Sequence, residues 1–158
     1  MNLTQLTERL GAVSPEKPGT LNRQIRHWAT VGVLPLTGER FSGTGRGRVY
    51  TEDALLVAAV AVELARWGIP IAVMTRVLDH LRFALDEDSG PQEVKELKAG
   101  ASDALTLVFS GRYAGQDGVR VAHVPRDRMS DHVTSPEFLD SGTSVVMIDL
   151  SRLWAKLR

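Results

Sequence analysis

The sequence contains no cysteine. Disulfide scaffolds, thiolate zinc sites, iron–sulfur clusters and cysteine nucleophiles are therefore excluded. Aromatic residues are scarce, at 6% of 158 residues. Long apolar runs are also missing. The most apolar stretch, 54–62, is about half the roughly 20 residues that a membrane-spanning helix needs, and Glu63 ends it. Met1-Asn2-Leu3-Thr4 has neither the basic nor the apolar region of a secretory signal. A cytoplasmic protein without a membrane partner is the expectation. The remaining composition, 43% apolar and 24% charged, suits one compact globular domain or two small ones.

An excess of charge of either sign is absent overall, since the formal net charge is zero, but the average hides an asymmetry. Between Lys17 and Arg48, six bases (Lys17, Arg23, Arg26, Arg40, Arg46 and Arg48) face the single acid Glu39, leaving +5. From Leu85 onward nine bases face twelve acids, leaving −3. A locally basic surface is what phosphate binding requires, and a neutral total does not forbid it. A merely solvated basic face gives the same count, so charge alone leaves both readings open.

The chain separates at Asp86-Glu87-Asp88-Ser89-Gly90-Pro91, an acidic stretch whose Gly-Pro cannot continue a helix. The partition predicted is residues 1–85, a linker at 86–91, and a second module at 92–158. In the first part Leu3, Leu6 and Leu10 share a helical face, with Asn2 and Gln5 spaced as a capping box. A second helix is expected to start near Thr20 as its N-cap and to end at Gly32. Leu21, Ile25 and Trp28 fall on one side of it, and Arg23, Arg26, His27 and Thr30 on the other. The segment 40–50, with glycines at 43, 45 and 47 around Thr44 and Arg46, predicts a flexible hairpin tip carrying cations. It lacks the Gly-Lys-Ser/Thr ending of a phosphate-binding P-loop. Thr51 should cap a third helix whose first turn holds Glu52 and Asp53. This helix runs to Trp67 and Gly68, and a fourth follows Pro70.

Helix, turn, basic helix, basic hairpin and two helices is the order of a winged helix-turn-helix. The residues resemble the MerR family of transcriptional regulators over roughly residues 3–82. Its signature after the recognition helix corresponds to Ile25-Arg26-His27-Trp28 followed by Gly32-Val33-Leu34-Pro35. The end of its wing corresponds to Arg48-Val49-Tyr50-Thr51-Glu52-Asp53, and its later motif to Trp67-Gly68-Ile69-Pro70-Ile71 with Met74 and Val77-Leu78. His27 and Ala29 stand where the family usually has Tyr and Glu. The resemblance implies a sequence-specific, non-enzymatic regulator of transcription that binds double-stranded DNA as a homodimer, with the transcription machinery as a further partner. The family's long dimerisation helix would have to pass Ser89-Gly90-Pro91, so a dimer here is expected to form another way, through the C-terminal half.

On this reading the DNA-contacting candidates are Thr20, Asn22, Arg23, Arg26, His27 and Thr30 on the second helix, and Arg40, Thr44, Arg46, Arg48 and Tyr50 in the wing. Arginine pairs bidentately with the O6/N7 edge of guanine or grips phosphate, and asparagine matches the N6/N7 edge of adenine. Most protein–DNA hydrogen bonds go to the backbone, so most of these groups should position rather than read. Trp28 reads as core, and Tyr50 is open between core packing and a phosphate contact.

The second module reads as α+β. It predicts a short helix at 92–99, a strand over 105–109, a turn-rich loop over 111–118 and a returning strand at 119–124. The apolar run 144–148 suggests a strand buried on both faces, and Asp149 should cap a terminal helix lined by Leu150, Leu153 and Leu157. About three strands with one or two helices make a thin core, which predicts self-association. His123, Asp127, Asp131 and His132 are legitimate metal-ligand types, but no regular spacing aligns them, and no metal or other cofactor is expected. Three alternatives are weighed against the regulator. They are an excisionase-like architectural factor, a small metal-dependent enzyme built on that cluster, and a protein-interaction module that no longer touches DNA.

Overall fold

The first helix, α1 (Leu3–Leu10), carries the capping box written in its sequence. The Gln5 amide donates to Asn2 Oδ1 at 3.0 Å, and the Asn2 amide donates to Gln5 Oε1 at 2.8 Å. Two of the amides that a helix start leaves unpaired are thereby satisfied. The structure, a computed structural model, describes residues 1–34, 49–86, 88, 90, 92–99, 103–113, 116–133 and 144–158. The chain divides into two compact units, Met1–Leu78 together with Leu153–Arg158, and Asp79–Arg152. The sequence suggested a boundary at 86–91. In the structure the division falls within a helix, and the last six residues return to the first unit.

In the first unit α2 (Pro18–Val31) begins three residues earlier than Thr20 as N-cap suggests. Pro18 occupies the first turn, where its missing amide costs nothing and its fixed φ suits the helix. Lys17 is the N-cap and makes no side-chain cap, so Thr20 sits inside the first turn. Gly32 ends α2 in the left-handed conformation at φ 84°, where a side chain would be strained. Thr51 caps α3 (Glu52–Arg66) as expected, its hydroxyl oxygen accepting from the Ala54 amide at 3.0 Å. Every residue from Ala54 to Val62 is buried, as befits a helix that is apolar all round. Gly68, at φ 67°, turns the chain toward α4 (Ile71–Leu85), where Met74, Val77 and Leu78 are buried. Trp67, by contrast, is 68% exposed and stands outside the core. α1 packs on both α2 and α3.

In the second unit α5 (Gln92–Ala99) packs against a hairpin of β1 (Ala104–Tyr113) and β2 (Gln116–Pro125). The strands are longer than expected. Tyr113 pairs with Gln116, so most of the segment assigned to a loop is strand and only two residues connect it. Glycines at 111 and 118 face each other in this register rather than marking a wide turn. After a 3-10 turn and α6 (Met129–Val133), β3 (Ser144–Asp149) pairs antiparallel with β1, giving the order β2-β1-β3. The expectation that 144–148 is buried on both faces is corrected, because Met147 is 53% exposed while Ile148 is buried. An outer strand of an antiparallel sheet needs only one covered face. Asp149 ends β3 and caps α7 (Leu150–Leu157), its Oδ1 accepting from the Arg152 amide at 2.9 Å. Arg126 bridges Asp149 at 2.5 Å and Asp103 at 3.5 Å, tying the ends of all three strands.

Candidate nucleic-acid interface

The second helix divides sharply by side. Leu21, Ile25, Trp28 and Ala29 are buried, and Arg23, Arg26, His27 and Thr30 are exposed at the i, i+3, i+4, i+7 spacing of one helical stripe. The hydrophobic side faces the unit's core, so the polar stripe points outward. Arg26 Nε donates to Asn22 Oδ1 at 2.9 Å, and the Thr30 hydroxyl donates to the Arg26 carbonyl at 2.9 Å. The first of these bonds orients a guanidinium along the stripe. Asn22, half-buried, is thus a partner of Arg26 as well as a candidate in its own right. Thr20 is also half-buried.

The first turn of α2 contains no acid, and Lys17 immediately precedes it. A helix start carries partial positive charge, so this end of α2 favours an anion. An open cavity of about 600 Å³ lies between α1 and this turn, lined by Thr4, Thr7, Gly11, Gly19 and Asn22 among others. Glu8 also lines it, which makes this cavity a poorer phosphate seat than the outward stripe.

Tyr50 is set apart from the other candidates by its burial. Tyr50 is 1% exposed, its amide donating to the Met1 carbonyl at 2.9 Å and its carbonyl accepting from the Met1 amino group at 2.7 Å. A side chain this enclosed packs in the core. Arg40, Thr44, Arg46 and Arg48, with the rest of 35–48, lie outside the described residues.

Residues 9–81 match the family model of the MerR HTH family regulatory proteins. The N-terminal half of this chain is a MerR-family helix-turn-helix region. Such a region suggests a DNA-binding transcription regulator, and regulators of this family are generally non-enzymatic. No curated protein matches the chain. The MerR-type match begins at the end of α1, covers α2 and α3 and ends within α4, leaving the sheet and α7 outside it.

The chemistry weighed for the second half finds no assembled site. Among the described residues no three His, Asp or Glu side chains gather as metal ligands. Asp127 and Asp131 are exposed, and the His132 side chain lies outside the described residues. His123 is instead half-buried, beside His80 of α4. Burial lowers its pKa to about 4. A hydrogen bond with the His80 backbone works in the opposite direction, and the charge of His80 lowers it slightly further. A neutral imidazole held in this way packs against its surroundings and does not act as a cation. No helix among the described residues is long and apolar enough to cross a membrane.

One functional feature escaped sequence reasoning. Arg9, the first residue of the MerR-type match, bonds to Glu52 and to the backbone of Leu157. Nothing local in the sequence marks it, because its backbone acceptor lies 148 residues away.

Proposed function

We propose that this protein is a sequence-specific regulator of transcription that inserts α2 into the major groove of double-stranded DNA. The observation that carries the reading is the exposed stripe Arg23, Arg26, His27 and Thr30 on α2, a helix that lies within the MerR-type match. Arg26, oriented by Asn22, is the leading candidate for a guanine edge. Arg23, Lys17 and the α2 N-terminus are assigned to phosphates. The basic segment 40–50, through Arg40, Thr44, Arg46 and Arg48, acts as a wing on the neighbouring backbone.

The second unit acts as the dimerisation or effector module, in the cytoplasm. β3 supports this role, since it is an outer strand with an unpaired edge among the described residues and an exposed Met147. A two-fold dimer then sets two α2 helices on half-sites a whole number of DNA turns apart, within reach of the transcription machinery.

Selection of duplexes from a random pool tests the reading. The full-length chain should enrich a two-fold symmetric site, and Arg26→Ala should erase a guanine preference in each half. Enrichment of unrelated sequences, or none, contradicts the proposal.

A further inference from the structure

The Arg9 guanidinium makes four hydrogen bonds to two groups. Nη1 donates to both carboxylate oxygens of Glu52, at 2.6 and 2.8 Å. Nε and Nη2 both donate to the Leu157 carbonyl, at 3.0 and 2.6 Å. Three elements of one unit, α1, the first turn of α3 and the last turn of α7, therefore meet on one side chain.

Each partner is chemically suited to this position. Leu157 offers one of the carbonyls that a helix end leaves unpaired, at the negative end of the dipole, where a cation is favoured. Glu52 lies at the positive end of α3 and balances the charge of Arg9. Leu153, Trp154 and Leu157 are buried, so the last turns of α7 are packed and not merely tethered. Arg158 stacks 5.5 Å from the centre of the Trp154 ring, adding to the same turn. α1 in turn packs directly on α2.

We propose that Arg9 is a positioning residue for DNA binding. By gripping the last turn of α7 it fixes α1, and through α1 the pose of α2. The C-terminal residues thereby set the specific affinity of the MerR-type region, whose family match stops far short of them. The inference rests on the DNA-binding reading of α2. Arg9 directs its charge to protein groups, so it contributes no phosphate contact. Lysine cannot replace it, having no planar fork to serve a carboxylate and a carbonyl together.

The test uses the full-length chain, a duplex enriched from a random pool by the wild-type protein, and the unselected pool itself. Arg9→Gln should keep its circular dichroism while amides of α1 and of the last turn of α7 exchange faster. Its affinity for the enriched duplex should fall about tenfold, the scale of one lost charged hydrogen bond. Its affinity for the unselected pool and its salt dependence should not change, and Arg9→Lys should not restore the loss. A general loss of folding would instead weaken both affinities together. Unchanged affinity for the enriched duplex overturns the proposal. So does a salt slope smaller by about one, which would make Arg9 a phosphate contact. Should Arg9→Gln fail to fold, Arg9→Lys is judged by the same two affinities. If the wild type enriches no duplex, the DNA reading itself falls and takes this proposal with it.

Discussion

Single side chains in this protein have separable duties, and their perturbation should leave distinct signatures. Arg26→Ala removes both a cation and the group that Asn22 orients. Loss of a bidentate guanine contact costs about 1–3 kcal/mol of discrimination at one base pair. Asn22→Ala keeps the cation and loses only the 2.9 Å bond that holds it. Asn22 carries no charge, so whether it orients Arg26 or meets a base itself, its loss should weaken base preference while leaving the salt dependence of binding unchanged, as titrations at several salt concentrations will report. His123 has a different signature. Its folded pKa of about 4 lies below the ordinary value of 6.5, so above pH 6.5 it is neutral in folded and unfolded chains alike. Below pH 6.5 the unfolded chain takes up a proton that the folded chain refuses until about pH 4. Stability should fall through that window by up to about 3 kcal/mol. Urea unfolding between pH 7 and pH 4 should show the decline, and His123→Gln should flatten it. An equal decline in the variant would contradict the assignment.

Elements were legible in the sequence where their signals are local. Asn2 and Gln5, Gly32, Thr51 and Asp149 each stop or start a helix within a few residues, and each does so in the structure. The start of α2 misled because Thr20 is a good cap by type, whereas Pro18 pre-sets the backbone two residues sooner. β1 and β2 were read short because glycines at 111 and 118 resemble a turn until cross-strand register pairs them. The backbone pairing of Tyr50 and the bonds of Arg9 were beyond sequence reading for a stronger reason. One is paired with Met1 and the other bonded to Leu157, and no spacing rule reaches 49 or 148 residues along a chain. Two substitutions test the element-level account by thermal and denaturant unfolding. Thr51→Ala should destabilise by about 1 kcal/mol through the lost cap of α3. Ile25→Ala, which empties a fully buried site under the exposed stripe of α2, should cost about 2–5 kcal/mol.

At the scale of the whole molecule, a neutral chain conceals a basic N-terminal surface and an acidic remainder. This distribution favours association with DNA through one end and limits nonspecific adhesion elsewhere. The family match covers residues 9–81, yet residues 153–158 belong to the same compact unit as most of that stretch. The unit that holds α2 thus also includes residues 153–158. The most direct measurement is fluorescence anisotropy of the full-length protein on a duplex enriched from a random pool, with unlabelled random competitor, at two salt concentrations. The account predicts specific binding that survives competitor and weakens with salt, and that Arg23→Ala combined with Arg26→Ala abolishes. Binding lost equally to any competitor, or wild-type affinity in the double variant, would contradict the assignment of α2 as the helix that reads DNA.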